Sequence, residues 1–345
     1  MGTTAERSSI PVPATTGGWV EVGRTTLGEA SSTIDVTSLP DKRYYMVLAY
    51  CDRDLVATNT AMRMGNGSFD SGANYSNRYS SDGAADATNT SQTSMFGQLV
   101  ADTNPNFSVG YLTNHSASEK LWMNWVVHQR TAGATTAPTR REIYSKHAFT
   151  SNPIDQLQFA TLNSNEFQSG DEIVVLGWDP ADTHTNNFWE ELASVELGSS
   201  NATIDSGTIT AKKYLWFQVY VTGKSTSTKP NMQFNSDTAS NYARRFSVNG
   251  GADTTEAPRA NIMLHETNDS NPTFVNGFII NNQSNEKLYL GHAINQNTAG
   301  AGTAPDRCES IGKWANTSNQ ITSIQVNANS GTFGTGSILK VWGAD

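Results

Sequence analysis

Asn74 to Asp86 reads NYSNRYSSDGAAD and Asn241 to Asp253 reads NYARRFSVNGGAD, an offset of 241 − 74 = 167 residues. Outward from this pair, Trp19 to Tyr50 (WVEVGRTTLGEASSTIDVTSLPDKRYYMVLAY) aligns without gaps on Trp189 to Tyr220 (WEELASVELGSSNATIDSGTITAKKYLWFQVY), at an offset of 189 − 19 = 170. Further on, Glu119-Lys120-Leu121 matches Glu286-Lys287-Leu288, and TAGATTAPTRRE from Thr131 matches TAGAGTAPDRCE from Thr298. FQSGDEIVVLGWD (Phe167 to Asp179) likewise matches FGTGSILKVWGAD (Phe333 to Asp345). Many blocks in one order, with small length changes, mean that the chain is one module written twice. The expected division is an extended arm over residues 1–17, a first module over 18–179, a link over 180–187 and a second module over 188–345. The step in offset is expected to fall in a loop near Leu55 to Asn66, against Gly223 to Asn231.

Each copy carries short runs of strand character between turn signals. Tyr44 to Ala49, Leu121 to Val127, Arg140 to Ser145 and Glu172 to Leu176 read as strands in the first copy. Tyr214 to Tyr220, Leu288 to Ile294, Arg307 to Ile311 and Ile338 to Trp342 are their equivalents in the second. Gly- and Asn-rich turns such as SSDGAAD and NGGAD supply the positive-φ positions that hairpins need. Helical periodicity is nowhere sustained. Eight or nine strands per module, with long connections, predict an all-β chain of two tandem jelly-roll-like β-sandwiches.

Composition supports that class and narrows the functions. Only 16% of the 345 residues are charged, so the polar surface is built from Asn, Ser, Thr and Gly, which favour strands and turns over long surface helices. The net charge of -9, without a concentrated Lys/Arg face, argues against a nucleic-acid partner. No apolar run is long enough to predict membrane insertion, and the opening residues lack the apolar centre of a signal peptide. Cys51 and Cys308 read as buried thiols rather than a disulfide framework.

Catalytic motifs are missing: no nucleophile elbow, phosphate loop, dinucleotide fingerprint or zinc-protease helix occurs, and the six histidines fall at unrelated positions in the two copies. We therefore expect no enzyme, no cofactor and no metal site. Asp179, Asp182 and His184 around the link are the nearest approach to a hard-cation set, and read as an exposed polar linker. Residues kept in both copies serve either the shared fold or a shared surface. Trp19 and Trp189 are expected in the cores, as are Trp122 and Tyr289. Glu119-Lys120 and Glu286-Lys287 are expected to mark charged turns. The most informative set is Tyr75, Arg78 and Asp86, repeated as Tyr242, Arg245 and Asp253. Arg and Asp eight residues apart across a turn suit an ion pair that pins a hairpin. With the tyrosine they also suit a polar pocket with an aromatic platform for a sugar, or a subunit contact. Arg245→Ala is expected to destabilise the fold more than Lys224→Ala in a presumed loop.

At the repeated blocks N-Y-x-x-R-[YF]-S-x-[DN]-G-[AG]-A-D, T-A-G-A-x-T-A-P-x-R and F-x-x-G-S-x-[IL]-x-V-x-G, the sequence resembles virion surface proteins of marine tailed viruses. Those include tail-fibre, receptor-binding and capsid-decorating subunits built from repeated β-sandwich modules. The resemblance implies a virion structural protein assembled in the host cytoplasm, with itself and other virion proteins as partners and host surface glycans as a further candidate. A homo-oligomer is expected, a trimer favoured, with Ile10 and Val12 of the arm packing on a neighbour. A double jelly-roll major capsid protein and a carbohydrate-binding, lectin-like protein are the alternatives.

Overall fold

A computed structural model describes residues 18–345, apart from 53–59, 99–103, 163–165, 181, 184–185, 226 and 267–268. The arm with Ile10 and Val12, and Leu55 and His184, lie outside the described residues. The first module contains β1 (Val20–Thr26), β2 (Thr33–Val36), β3 (Tyr44–Cys51), β4 (Thr60–Gly65), β5 (Tyr75–Ser81), β6 (Ala87–Gln92), β7 (Met95–Gln98), β8 (Asn106–Thr113), β9 (Lys120–His128), β10 (Thr139–His147), β11 (Gln156–Thr161) and β12 (Glu172–Trp178). The second contains β13 (Glu190–Glu196), β14 (Thr203–Asp205), β15 (Tyr214–Val221), β16 (Pro230–Phe234), β17 (Tyr242–Val248), β18 (Thr254–Arg259), β19 (Ile262–Met263), β20 (Thr273–Ile280), β21 (Lys287–Asn295), β22 (Asp306–Trp314), β23 (Ile324–Ala328) and β24 (Ile338–Ala344).

Each module pairs a large sheet with a small one. The large sheet of the first runs β1-β12-β3-β8-β9-β10-β5-β6 and the small one β2-β11-β4-β7. The second repeats both orders twelve strands later, as β13-β24-β15-β20-β21-β22-β17-β18 and β14-β23-β16-β19. Within each, the jelly-roll core alternates between sheets, with the first, third, eighth and twelfth strands in one and the second, fourth, seventh and eleventh in the other. The fold is therefore the expected pair of jelly-roll-like β-sandwiches. Even an irregularity is duplicated: β1 slips register between Glu21 and Gly23, and β13 between Glu191 and Ala193.

Among the described residues each module has twelve strands where eight or nine were expected, because several are too short to display a period: β2 and β7 have four residues, β14 three and β19 two. Polar edge strands such as β6 (ATNTSQ) also carry no apolar alternation. The step in offset lies elsewhere than expected. Tyr75 bonds Met64 and Asp70, and Tyr242 bonds Phe234 and Asp237, through the same hydroxyl. Since 234 − 64 = 170 and 237 − 70 = 167, the missing three residues belong to the turn after β4, not to the stretch before it.

The inner faces of each sandwich form one core, around Tyr45, Trp122 and Phe159 in the first module and Phe217, Tyr289 and Phe333 in the second. Trp122 and Tyr289 are core residues, and each needs a glycine diagonal to it on the neighbouring strand. A Cβ on Gly110 would meet the Trp122 ring at 2.0 Å, and one on Gly277 the Tyr289 ring at 2.7 Å. A third apolar cluster joins the modules. It draws on the opposite, outer faces of the two large sheets, with Leu48, Tyr50, Phe107 and Val127 from the first and Tyr214, Leu288, Leu290 and Ile311 from the second. This explains the near-continuous burial of β3 and β12, whose side chains are covered on both faces. Trp19 and Trp189 depart from expectation: they pack on the outer faces, with Tyr111 and Trp178 around Trp19 and Trp216 and Phe278 around Trp189, rather than in the sandwich cores.

Candidate functional site: the seam between the modules and the open groove beside it

Several of the polar groups retained in both copies meet at this seam. Arg140, at the start of β10, reaches Asp253 across the module boundary, with Nε 3.1 Å from each carboxylate oxygen and Nη2 2.8 Å from Oδ1. Arg245 on β17 donates through Nε to the Pro138 carbonyl oxygen at 2.8 Å and lies 3.5 Å from both Asp253 and Asp82. Arg140, Arg245 and Asp253 side chains are 9%, 9% and 2% exposed, so their charges attract across a poorly hydrated gap. The loop 129–133 docks beside them. Glu286 accepts from the Gly133 amide, while Lys313 donates to the carbonyl oxygens of Gln129 and Thr131.

At the other end of the seam, Glu172 is the hub. It accepts from Tyr214 Oη at 2.7 Å and Lys213 Nζ at 3.0 Å, both in the second module, and from Thr26 and Arg24 in the first. Burial opposes its ionisation, but the hydrogen bonds from Thr26 and Tyr214 and the Lys213 charge outweigh it and hold the carboxyl below its ordinary value. The same arrangement, after burial itself, pushes the Tyr214 hydroxyl far up. Phe107 packs on Tyr214 with ring centroids 6.2 Å apart, and Trp125 meets His292 edge-on at 4.9 Å.

The structure thus separates the six candidates. Tyr75 and Tyr242 are fully buried, so neither offers a platform to a sugar. Arg78 lies 3.3 Å from Asp86, yet the two are 59% and 52% exposed and make an ordinary surface pair. Arg245 and Asp253 are shielded, but their closest partners lie in the other module. Lys224, expected in a loop, is buried beside Asp269 at 2.9 Å. The EK pairs are more than charged turns. Lys120 and Lys287 are fully buried, and each donates to three loop carbonyls, those of His115, Ser118 and Phe149 and those of Gln283, Asn285 and Asn316.

Sequence reasoning missed the groove that flanks the seam. On the outer face of the first module's large sheet, Trp19, Tyr44, Tyr111, Leu121, Met123 and Tyr144 line a depression of about 880 Å³, bordered by Arg78 and Lys146. Tyr44 stacks on Trp178 at 5.5 Å. The available signal was the odd-numbered apolar residues of β9 (Leu121, Met123, Trp125), which alternate against the inward-facing Trp122, Asn124 and Val126. Among the described residues no cluster of three or more His, Cys, Asp or Glu side chains has the arrangement of a metal site.

No protein-family model and no curated protein matches the chain. Among solved structures it is similar to the mouse laminin alpha1 chain, domains LG4-5, at 9% identity over 95% of this chain and 90% of that one, with a TM-score of 0.20. Neisserial surface protein A is similar at 8% identity over 82% of this chain and 96% of that chain, with a TM-score of 0.11. Superpositions of that quality carry no argument about what the chain does.

Proposed function

We propose that this chain is a non-enzymatic virion structural protein, a tail-fibre, receptor-binding or capsid-decorating subunit, as the resemblance of its repeated blocks suggests. One observation carries the assembly role. Polar residues kept through the duplication, Arg140, Arg245, Asp253 and Glu286 among them, join large sheet faces across the seam, while their equivalents Arg307, Arg78, Asp86 and Glu119 stand at the surface. A building block needs such faces, whereas a catalyst needs a converging cleft. Light scattering on the purified chain over a range of concentrations tests the reading. A mass above that of one chain is expected, and a monomer at every concentration removes it.

The groove favours a second reading, carbohydrate binding. Trp19, Tyr44 and Tyr111 offer ring faces of the kind that receive the apolar side of a sugar, and Arg78 and Lys146 offer donors at the rim. Titration with neutral oligosaccharides while following tryptophan fluorescence tests it. A saturable change is expected, and a flat trace removes the reading.

A further inference from the structure

The contact between the modules is heterologous over most of its area: away from Trp125 and its equivalent His292, which meet each other, the first module contributes one half of its outer face and the second the other half of its own. Seven large apolar side chains are exposed among the described residues, and six of them fall on the two halves left over. Leu121 (55%), Met123 (40%) and Tyr144 (43%) lie in the groove of the first module. Their equivalents at an offset of 167, Leu288, Leu290 and Ile311, are buried in the seam. Tyr220 (42%), Phe274 (39%) and Ile294 (47%) lie on the second module. Their equivalents Tyr50, Phe107 and Val127 are buried in the seam from the other side.

The polar groups follow the same division. Arg140 at the seam is matched by Arg307, whose side chain is 58% exposed. Arg245 is matched by Arg78, which borders the groove, and Asp253 by the exposed Asp86 beside it. Glu286 and Lys313, 4% and 0% exposed, are matched by Glu119 and Lys146, 39% and 49% exposed. Gln129, Thr131, Gly133 and Pro138, whose backbone groups meet the second module, are matched by Gln296, Thr298, Gly300 and Pro305. Both complementary halves are present on the surface, one on each module; Arg307 acts on the Tyr144 hydroxyl across the edge of the seam, yet the apolar side chains of both halves stay exposed.

We infer that these two unused halves bind each other between chains, so that the second module of one copy docks in the groove of the first module of the next. Arg307 then faces Asp86 as Arg140 faces Asp253, Arg78 reaches the Pro305 carbonyl, and Phe274 covers Tyr44. The inference rests on the assembly reading and names its partner as a second copy of this chain. A contact of this type repeats head to tail, into a ring where the rotation closes and a filament where it does not. One part of the seam has no counterpart: Glu172 is matched by Ile338, so Tyr44 loses the carboxylate that Tyr214 enjoys. The joint between chains is accordingly weaker than the joint within one, and its population depends on concentration.

Charge reversal tests this on the full chain. Asp86→Arg and Arg307→Asp should each weaken association by about tenfold or more, because each places like charges face to face. The double variant Asp86→Arg/Arg307→Asp should restore it. All three should keep the parent's β-type circular dichroism spectrum, since the seam within the chain uses Arg140 and Asp253 instead, with any loss of melting temperature confined to the Arg78–Asp86 and Arg307–Glu309 pairs. A parent that assembles while neither single variant weakens it overturns the inference and leaves the assembly reading standing. Weakened single variants that the double variant fails to rescue overturn the pairing. A parent that stays monomeric at every concentration overturns both, and binding of an oligosaccharide by that monomer would assign the groove to a glycan.

Discussion

Arg140 grips Asp253 from the opposite module through three contacts of 2.8 to 3.1 Å, whereas the sequence equivalents Arg307 and Asp86 are more than half exposed and pair with Glu309 and Arg78 of their own modules. A duplicated module has thus kept both halves of one contact in both copies while satisfying it once.

Removing one partner of the shielded pair leaves the other charge buried. Asp253→Ala should cost about 3–5 kcal/mol of stability in urea unfolding, while Asp86→Ala, at the exposed Arg78 pair, should cost about 0–1 kcal/mol. Equal losses at the two positions would mean that the seam adds nothing to the fold.

The fold class and the duplication were legible because the repeat preserves order and spacing across the whole chain. The site was only half legible. The block NYxxR…GxAD and the block TAGAxTAPxR were recognised as retained, but sequence has no way to place one module's Arg140 against the other's Asp253, a contact made across 113 residues. A hairpin pin was the local explanation for Arg245 and Asp253, and the long-range partners displaced it. Strand β3, YYMVLAYC, carried the clearest hint, since an unbroken apolar run in an otherwise alternating sandwich means both faces are covered. The groove was hidden because its apolar residues come from several strands, each contributing alternate positions.

Glu172 makes the seam sensitive to acid. Its folded value is depressed, so its contribution is fully present above the ordinary carboxylate range and is lost as pH falls through that range and below. Thermal unfolding followed from pH 7 to pH 3 should show the parent losing stability faster than Glu172→Gln at the acid end. Parallel slopes would contradict this role.

The strand glycines diagonal to the core aromatics allow no side chain. Gly110→Ala drives a methyl into the Trp122 ring and should destabilise by about 1–3 kcal/mol, with Gly277→Ala acting similarly on Tyr289. Chemical denaturation measures both, and a neutral Gly110→Ala would show that the Trp122 ring can move aside.

The buried lysines hold loops. Lys287→Met keeps the aliphatic stem but leaves the carbonyls of Gln283, Asn285 and Asn316 without their common donor, and should cost at least about 2 kcal/mol. Hydrogen exchange in the 281–286 and 315–319 loops should rise in this variant, and unchanged protection there would argue against the clamp.

The most direct measurement of the head-to-tail account is a cross-link between the two unused faces. Within the chain, Phe107 and Tyr214 pack at 6.2 Å between centroids, and their equivalents are Phe274 and Tyr44. A Tyr44→Cys/Phe274→Cys chain, whose own Cys51 and Cys308 are buried, treated with a short bismaleimide should give covalent dimers and higher species on a denaturing gel, while a chain with either introduced cysteine alone should give neither a ladder nor more than trace dimer. A single-chain band from the double variant, at concentrations where the parent assembles, would contradict the account.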